Sequence, residues 1–400
     1  MKKIILAYSG GLDTSVLVRW LTDKYKTEVV TVTVNAGQYE DLKAIGEIAK
    51  KAGAAKHYSI DAKREFVKDY ILPAIQANAL YEEKYPLATA LARPLMAEKL
   101  IEIARKERAV AIAHGCTGKG NDQVRFEVTL RALAPDIKVL APMREWTMGR
   151  PEEIKYAKKH GIHVDPKKSP YSIDQNIWGR SAECGILEQP DAEPPEEVYE
   201  WTTAPEEAPS KPQYVRVGFE EGIPTSLNRR KLKPLELIEK LNSIGGKHGI
   251  GRVDHIEDRV IGIKSREIYE APAAVCLLEA HRDLEKLILT RHELTFKAGV
   301  DQHWSWLVYS GLWFDPIRKD LDAFIQQTQK RVTGEVRLKL FKGTVTVVGR
   351  SSPYSLYDRE LATYNIDTTF DQTSAKGFIE LWGLPTKAAH AIITKNLKKC

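Results

Sequence analysis

Short apolar runs alternate with amphipathic stretches along the first 165 residues, and this alternation constrains the fold more than any other feature of the chain. The apolar runs cover residues 4–7, 28–34, 55–60, 109–113 and 137–140. Between them lie helical patterns, for example at 42–52, 62–78 and 94–107. Repetition of strand and helix in this way predicts a parallel sheet with helices on both faces. We therefore expect a doubly wound α/β domain over residues 1–165.

The pattern changes after about residue 166, where strands and helices no longer alternate. Residues 188–212 are rich in Pro and Glu and are expected to form a surface loop. The later patterns predict a strand at 215–219, a helix at 235–244 closed by Gly245 and Gly246, a helix at 316–332, and a hairpin of 336–341 and 344–348 that turns at Lys342 and Gly343. Such a mixture predicts a second, α+β domain over residues 166–365.

The last segment, residues 366–400, has the pattern of an arm that ends in a helix. Apolar residues recur at helical spacing over 385–399, with Pro385 in the expected first turn and lysines at the end. An apolar helix face needs a surface to cover it, and a partner subunit is as good a candidate as the chain's own domain. We expect this helix to serve in oligomerisation.

The charge and the cysteine content narrow the classes of function. Lys and Arg total 60 against 54 Asp and Glu, a net charge of +6 over 400 residues, which does not require a nucleic-acid or membrane partner. The four cysteines, Cys116, Cys184, Cys276 and Cys400, lie far apart, so neither a CxxC pair nor zinc-site spacing occurs. No apolar run approaches the ~18 residues of a membrane span. We expect a cytoplasmic protein with free thiols and no metal site of its own.

Residues 8–15, YSGGLDTS, lie between the first predicted strand and the first predicted helix. In a doubly wound sheet this is the edge where ligands bind, and a helix N-terminus there offers free N–H groups to phosphate. Gly10 and Gly11 let the backbone approach an anion, and Ser9, Thr14 and Ser15 add hydroxyl donors. Neither the Walker pattern GxxxxGK[ST] nor the dinucleotide pattern GxGxxG fits this loop. The loop therefore predicts a polyphosphate site of another kind.

A second glycine-rich loop, AHGCTGKGNDQVRFE at 113–127, follows a predicted strand and leads into a helix. It is not a Walker loop, because Gly120 stands where Ser or Thr is required. Asn121, Asp122 and Arg125 bring donors, an acceptor and a cation to one strand end. An amino-acid substrate, which has both an ammonium and a carboxylate group, requires such a combination.

The string SGGLDTS resembles the PP-loop of the ATP pyrophosphatase superfamily, which clasps the leaving pyrophosphate of ATP. The longer string AYSGGLDTS and the loop at 113–127 resemble the argininosuccinate synthase family, as do residues 64–94, 169–190 and 245–272. The resemblance implies a PP-loop ATP-binding domain, a synthetase and multimerisation domain, and a homotetramer. It also implies that ATP, citrulline and aspartate react to argininosuccinate, AMP and pyrophosphate through citrullyl-AMP, a step of arginine biosynthesis.

The same resemblance implies which residues contact the substrates. The ATP group is Ala7, Tyr8, Ser9, Gly10, Gly11, Leu12, Asp13, Thr14, Ser15, Val34 and Gly115. The aspartate group is Thr117, Asn121 and Asp122, and the citrulline group is Tyr85, Thr89, Asn121, Arg125, Ser172, Ser181, Glu257 and Tyr269. Ser9 and Asp13 would act at the reacting phosphates, with Mg²⁺ carried by the ATP phosphates and Asp13 a candidate for holding the ion or its waters. Ala90 departs from a Ser seen in some members, so a hydroxyl contact there is lost or supplied by Thr89.

Two other functions stay open at this point. A tRNA-modifying PP-loop enzyme would need a cysteine pair for sulfur transfer or a strongly basic face, and neither is evident in the sequence. A nucleotide-binding protein without catalysis would have no reason to carry residues 169–190 and 245–272. Turnover without RNA would exclude the first alternative, and ATP binding without citrulline-dependent release of pyrophosphate would favour the second.

Overall fold

The computed structural model describes residues 2–38, 40–145, 150–162, 170–365 and 368–397. The chain separates into two compact units, Met1–Tyr354 and Ser355–Cys400, and each is described by itself. The expected domain boundaries at 165/166 and 365/366 fall at or beside residues outside the described ranges and stay predictions, and Cys400 lies outside them too.

A five-stranded parallel sheet forms the first part of the larger unit. Its strands are β1 (Lys3–Ala7), β2 (Glu28–Asn35), β3 (Lys56–Asp61), β4 (Ala111–Ala113) and β5 (Lys138–Leu140). They lie in the order β3-β2-β1-β4-β5, with every neighbouring pair parallel. Ile5 belongs to one apolar core, whereas Ile4 and Leu6 belong to another. Because successive side chains of a strand point to opposite faces, the sheet is buried on both sides, and the predicted doubly wound architecture is confirmed.

The helices that accompany this sheet lie where the apolar spacing predicts them. They are α1 (Leu12–Tyr25), α2 (Leu42–Lys51), α3 (Lys63–Phe66), α4 (Leu72–Gln76), α5 (Ala88–Glu107), α6 (Asn121–Leu133) and α7 (Arg150–Lys159), with a π-helical segment, Val67–Ile71, between α3 and α4. The helix predicted at 94–107 begins earlier, at Ala88, and Pro94 lies inside it. Pro94 and its neighbours are buried, so the packing of α5 outweighs the ~3 kcal/mol that an internal proline costs.

In the rest of the larger unit, the residues that the structure describes form two antiparallel sheets. Their strands are β6 (Ser172–Asn176), β7 (Gly179–Glu183), β8 (Gln213–Glu220), β9 (Ile223–Leu227), β10 (Arg230–Lys231), β11 (Arg252–Asp258), β12 (Lys264–Glu270), β13 (Gly334–Phe341) and β14 (Thr344–Ser351). One sheet has the order β10-β9-β8-β13-β14 and the other β11-β12-β7-β6. The predicted hairpin is confirmed, since Phe341 pairs with Thr344 and both Lys342 (φ 44°) and Gly343 (φ 79°) are left-handed.

Four helices pack with these sheets in the described part of this region. They are α8 (Pro234–Lys247), α9 (Pro272–Ile288), α10 (Arg291–Tyr309) and α11 (Pro316–Gln329). The prediction that Gly245 and Gly246 close α8 is wrong, because the helix continues through both. A Cβ on Gly245 would lie 3.0 Å from Pro272, and one on Gly246 would collide with the carbonyl oxygen of Trp201. These glycines therefore serve close packing rather than helix termination.

Residues 188–212 form irregular structure, as predicted, but the segment is anchored rather than merely lying on the surface. The buried carboxylate of Glu270 accepts hydrogen bonds from the backbone N–H groups of Glu200, Trp201 and Thr202 at 2.8–2.9 Å. The Thr202 hydroxyl donates a further bond at 2.7 Å. One buried side chain thus accepts from three successive backbone N–H groups of the loop and holds the loop in place.

The described residues of the smaller unit form two helices, α12 (Arg359–Ala362) and α13 (Ser374–Leu397). The predicted start of the last helix near Pro385 is wrong, because α13 begins at Ser374 and includes Pro385. The residues before Pro385 continue the same apolar pattern, and Phe378 stacks on Trp382 with ring centroids 5.5 Å apart. Within the described part of α13 no side chain is buried.

Candidate active site

The loop between β1 and α1 is built to receive an anion. Gly10 has φ 79°, a conformation that disfavours other residues, and a Cβ there would lie 3.1 Å from Ile45. Gly11 is the N-cap of α1, and no described side chain caps this end. The N–H groups of the first turn are therefore available to a ligand. Ser9 and Thr14 flank the turn, with their hydroxyl oxygens 3.1 Å apart.

Other residues that were predicted to contact ATP support the conformation of this loop. The Tyr8 hydroxyl and the Ser15 hydroxyl lie 2.8 Å apart, and Ser15 donates to the Gly11 carbonyl at 2.7 Å. Burial raises the pKa of Tyr8, so this phenol stays protonated. Leu12 packs in a small apolar cluster with Val16, so only its backbone can serve a nucleotide. Asp13 lies in the first turn of α1.

A cavity of about 270 Å³ opens beside this loop. Its lining includes six of the predicted ATP residues, namely Ala7, Tyr8, Ser9, Thr14, Val34 and Gly115. The sequence analysis did not single out several other lining residues, namely Gln38, Glu40, Met96, Leu100, Phe126 and Ile173. Apolar side chains mixed with polar ones suit a nucleoside, and the glycine loop at the edge suits its phosphates.

The second glycine-rich loop borders the same cavity. A Cβ on Gly115 would lie 3.3 Å from both Leu17 and Thr14, so close packing favours glycine at this position. His114 is fully buried and its Nδ1 accepts from the Cys116 N–H at 3.3 Å. Burial, with a smaller effect of a nearby arginine, lowers the pKa of His114 to about 4, so the ring is neutral. Burial raises the pKa of Cys116 to about 12, so its thiol is not a nucleophile near neutral pH.

Arg93, which the sequence reasoning missed, joins the nucleotide cavity to the amino-acid side of the site. It lines the cavity, donates from Nε to Asp122 at 2.8 Å and from Nη2 to Asp174 at 2.7 Å. Although burial raises the pKa of Asp122, Arg93 and Arg125 together hold it below its usual range. Asp122 is therefore an ionised carboxylate whose orientation is fixed by two guanidinium groups.

A buried carboxylate between tyrosines lies beyond Arg125. Glu257 is 2% exposed and accepts hydrogen bonds from the hydroxyls of Tyr269 and Tyr309, both at 2.5 Å. The ring of Tyr85 stacks on Tyr269 at 4.2 Å, and that of Tyr81 stacks on Tyr309 at 3.4 Å. Burial and the negative charge of Glu257 raise the pKa of Tyr269 and of Tyr309, so both remain hydrogen-bond donors.

The helix α6 brings its first residues against this cluster. The Asn121 amide donates to the Tyr309 hydroxyl at 2.8 Å, and its oxygen accepts from the Val260 N–H at 2.9 Å. Arg125 donates to the Tyr309 carbonyl at 2.9 Å and to Asp122, also at 2.9 Å. Arg125 at the carbonyl of Tyr309 and Glu257 at its hydroxyl thus provide a cation and a carboxylate in contact with one tyrosine, a combination that an amino-acid substrate requires.

The four-stranded sheet carries the remaining predicted citrulline residues on neighbouring strands. Ser181 on β7 pairs in register with Tyr269 on β12 and with Asp174 on β6. Ser172 is exposed at the start of β6, opposite Glu183. The N–H of Thr89 donates to the Tyr85 hydroxyl at 2.9 Å.

The structure brings together several of the residues predicted to contact citrulline or aspartate and leaves others apart. Tyr85, Asn121, Arg125, Glu257 and Tyr269 form one connected cluster. Thr117 lies exposed in the second glycine-rich loop.

Two glutamates next to this cluster were also missed by sequence reasoning. Glu183 and Glu267 lie on adjacent strands, and Arg259 donates to Glu183 at 2.8 Å. Burial and the neighbouring carboxylates raise the pKa of Glu267 to about 9. The pair therefore holds a proton at neutral pH, because two carboxylates this close do not both ionise readily.

Neither a metal centre nor a membrane span emerges from the described ranges. Among these residues no group of three or more His, Cys, Asp or Glu side chains could hold a metal ion. In the same ranges no helix is both long and apolar enough to cross a bilayer.

Comparison with known proteins identifies the family. Residues 3–163 match the family model of the arginosuccinate synthase N-terminal HUP domain, and residues 171–389 match that of the C-terminal domain. The chain is 59% identical over 391 residues to the argininosuccinate synthase of Pyrococcus furiosus, covering 98% of this chain and 95% of that one. It is 57% identical to the enzyme of Rubrobacter xylanophilus, with 96% and 94% covered, and 55% identical to that of Halalkalibacterium halodurans, with 100% and 97% covered. The chain therefore belongs to the argininosuccinate synthase family.

Proposed function

We propose that the site assembled from α1, α6 and the four-stranded sheet forms argininosuccinate from ATP, citrulline and aspartate through citrullyl-AMP. Family membership makes the chain an ATP-dependent ligase and disfavours the tRNA-modifying and non-catalytic alternatives. The observation that carries the residue assignment is the continuous arrangement from the PP-loop cavity through Arg93 to the cluster around Glu257.

The ATP phosphates would lie against the first turn of α1. The glycine turn and the hydroxyls of Ser9 and Thr14 supply donors for the β- and γ-phosphates. In the first step the ureido oxygen of citrulline attacks the α-phosphorus, the bond to the β-phosphate oxygen breaks, and pyrophosphate leaves. Fixed donors around the leaving group stabilise its developing charge, which is the main contribution the loop can make.

Citrulline would be held by its two charged ends. The carboxylate of Glu257, held by two tyrosine hydroxyls, suits the ammonium group, and the guanidinium of Arg125 suits the carboxylate. The stacked tyrosines give the chain of the substrate an apolar wall. Binding in this orientation directs the ureido group toward Arg93 and the nucleotide cavity.

Aspartate would bind beside the second glycine-rich loop through Thr117, Asn121 and Asp122. In the second step its amine attacks the activated ureido carbon, and the bond to the AMP oxygen breaks. Neither step needs a covalent intermediate on the protein, so the thiol of Cys116, with its raised pKa, has no part in them. Holding three substrates at once supplies the proximity that the reaction needs.

The residues present fit a magnesium ion that the nucleotide carries. The described residues offer no carboxylate cage, whereas Asp13 lies at the N-terminal turn that faces the phosphates. Asp13 would hold the ion or its waters, and the ion would neutralise charge on the β- and γ-phosphates.

Oxygen labelling tests the chemistry. Citrulline with ¹⁸O in the ureido group is incubated with the chain, ATP and aspartate, and we expect the label in AMP together with citrulline-dependent release of pyrophosphate. Label in water or in inorganic phosphate would contradict adenylation of the ureido oxygen. Omitting aspartate serves as a control, because pyrophosphate release should then stop after about one turnover.

We also propose a homotetramer in the cytoplasm, with α13 as a contact between copies. The exposed side chains of Leu381, Trp382 and Ile393 on α13 support the assembly, and the free thiols of Cys116, Cys184 and Cys276 support a reducing compartment. Light scattering of Trp382→Glu should give a smaller mass than the unchanged chain. Lys387→Glu on the same helix is the control and should leave the mass unchanged, and equal masses for both would refute the role of α13.

A further inference from the structure

A buried polar network lies away from the residues assigned to substrates. Lys297 on α10 is 1% exposed, and its ammonium contacts both carboxylate oxygens of Asp301 at 2.8 Å and Glu285 at 3.1 Å. The same ammonium donates to the carbonyl of Gln76, at the end of α4, at 2.9 Å. The network thus ties α9 and α10 to the point where α4 ends.

Asn78 is the centre of this network. Its amide nitrogen donates to Glu285 at 2.6 Å and to Asp301 at 3.1 Å, and its oxygen lies 2.7 Å from Nδ1 of His281. The backbone of Asn78 is left-handed (φ 44°), a conformation that asparagine tolerates better than most residues. On its far side His281 contacts Gln329 of α11 at 2.8 Å. Every polar group of the Asn78 side chain therefore has a hydrogen-bond partner.

Such a network contributes little to stability, but it fixes the relative positions of the elements that it joins. Buried charges lose their hydration, so apolar residues of similar size would often stabilise a fold equally well. Directional hydrogen bonds to charged groups, in contrast, accept only one relative position of the elements that carry them. The position fixed here is that of Asn78 relative to α9 and α10.

Asn78 begins the segment that carries the tyrosines of the citrulline pocket. We call residues 78–87 the tyrosine segment; Tyr81 and Tyr85 pair with each other across it through bonds of 2.8 and 3.0 Å. Tyr81 stacks on Tyr309, the last residue of α10. Asp301, two turns earlier on the same helix, holds Asn78. One helix therefore holds both the start of the segment and the partner of its first tyrosine.

We propose that Asn78 is a positioning residue for citrulline, because its buried network sets the register between the tyrosine segment and α10. Asn78 does not line the nucleotide cavity. Losing its side chain should let the segment shift, so that Tyr81 and Tyr85 no longer hold the geometry around Glu257. The inference rests on the proposed citrulline site.

The variant Asn78→Gly tests this, because it removes the amide while keeping the left-handed backbone accessible. We expect the KM for citrulline to rise at least tenfold while the KM values for ATP and aspartate stay within twofold. A merely structural role would instead lower the amount of active enzyme and leave all three KM values unchanged. Asn228→Gly is the matched control, since Asn228 is also left-handed (φ 52°) and its side chain accepts a hydrogen bond from Arg216.

Hydrogen exchange gives a readout that does not depend on activity. The amide hydrogens of Tyr81 and Tyr85 should exchange at least tenfold faster in Asn78→Gly, and at unchanged rates in the control. A folded Asn78→Gly with unchanged exchange and an unchanged KM for citrulline would overturn the inference. If the unsubstituted chain showed no citrulline-dependent turnover, the proposed function would fail, whereas exchange alone would still decide whether Asn78 positions the segment.

A milder variant covers the case in which Asn78→Gly does not fold. Asp301→Asn keeps the size of the side chain and an acceptor for Lys297 but replaces the oxygen that accepts from the Asn78 amide. We expect the KM for citrulline to rise about threefold, with faster exchange confined to the tyrosine segment. No change in either would overturn the inference.

Discussion

The hydroxyl of Tyr309 provides a sharp test of the citrulline pocket. Tyr309→Phe keeps the ring, and with it the stacking on Tyr81, but removes the donor to Glu257 at 2.5 Å and the acceptor for Asn121 at 2.8 Å. A hydrogen bond to a charged group contributes roughly 1.5–3 kcal/mol. Glu257 keeps its bond from Tyr269, so the loss is one of two donors.

We expect the lost free energy of this hydrogen bond to lower both the stability of the fold and the affinity for citrulline. If about 1.4 kcal/mol of it falls on binding, the KM for citrulline rises about tenfold, because Glu257 is then free to turn away from the ammonium group. The remainder, about 1 kcal/mol, lowers the free energy of unfolding. The KM for ATP should stay within twofold, since Tyr309 does not line the nucleotide cavity.

Steady-state kinetics with each substrate varied in turn, together with urea unfolding, separates the two effects. Tyr58→Phe is the matched control, because the Tyr58 hydroxyl donates to Glu107 at 2.5 Å at a distance from the site, and Glu107 also keeps Lys3 and Lys56. It should lower stability without changing any KM. If Tyr309→Phe behaved like this control, the assignment of Glu257 and Tyr309 to citrulline would be refuted.

Three further predictions concern substitutions of Gly10, Arg93 and Glu267. Gly10→Ala should raise the KM for ATP at least tenfold, because φ 79° and Ile45 at 3.1 Å oppose a Cβ; Gly53→Ala, also left-handed at φ 99° but with open space around it, should leave that KM unchanged. Arg93→Lys should raise the KM for aspartate several-fold, because the single ammonium of a lysine cannot replace the separate Nε and Nη2 donors to Asp122 and Asp174, and an unchanged value would contradict the role of the arginine. Burial raises the pKa of Glu267 to about 9, so its carboxyl group binds a proton more tightly in the folded chain than in the unfolded chain. The free energy of unfolding therefore falls as the pH rises from about 4.5 to about 9. Urea unfolding at pH 6 and pH 8.5 should therefore show a smaller pH dependence for Glu267→Gln than for the unchanged chain, and equal dependences would show that Glu267 does not carry this effect.

The glycine loops could be predicted from sequence because each is a local feature. The strand 4–7, the turn YSGGLDTS and the helix after it are contiguous, so the apolar pattern and the glycines together locate the loop at a strand end. The parallel sheet follows by the same reasoning, because each apolar run is short and is followed by a helical pattern. Local residues determine these elements, and tertiary packing only orders them.

Local sequence patterns gave wrong boundaries for two helices. Gly245 and Gly246 carry a termination signal, yet they lie inside α8 because Pro272 and Trp201 approach closely there. Pro385 carries a start signal, yet α13 begins at Ser374. For the two glycines only the neighbours in space decide between termination and close packing, whereas in α13 the apolar pattern before Pro385 already continues the helix.

The sequence by itself determined the doubly wound domain, the phosphate loop and the family to which the chain belongs. The tertiary structure alone decided the partners of those motifs: Arg93 on α5 bridges Asp122 and Asp174, and Tyr309 at the end of α10 holds Glu257. The physical reason is distance along the chain, because strand pairing and helix packing join residues whose surroundings in sequence look like ordinary surface or core. A carboxylate or a tyrosine becomes a site only when folding gives it a charged or aromatic neighbour and removes it from water.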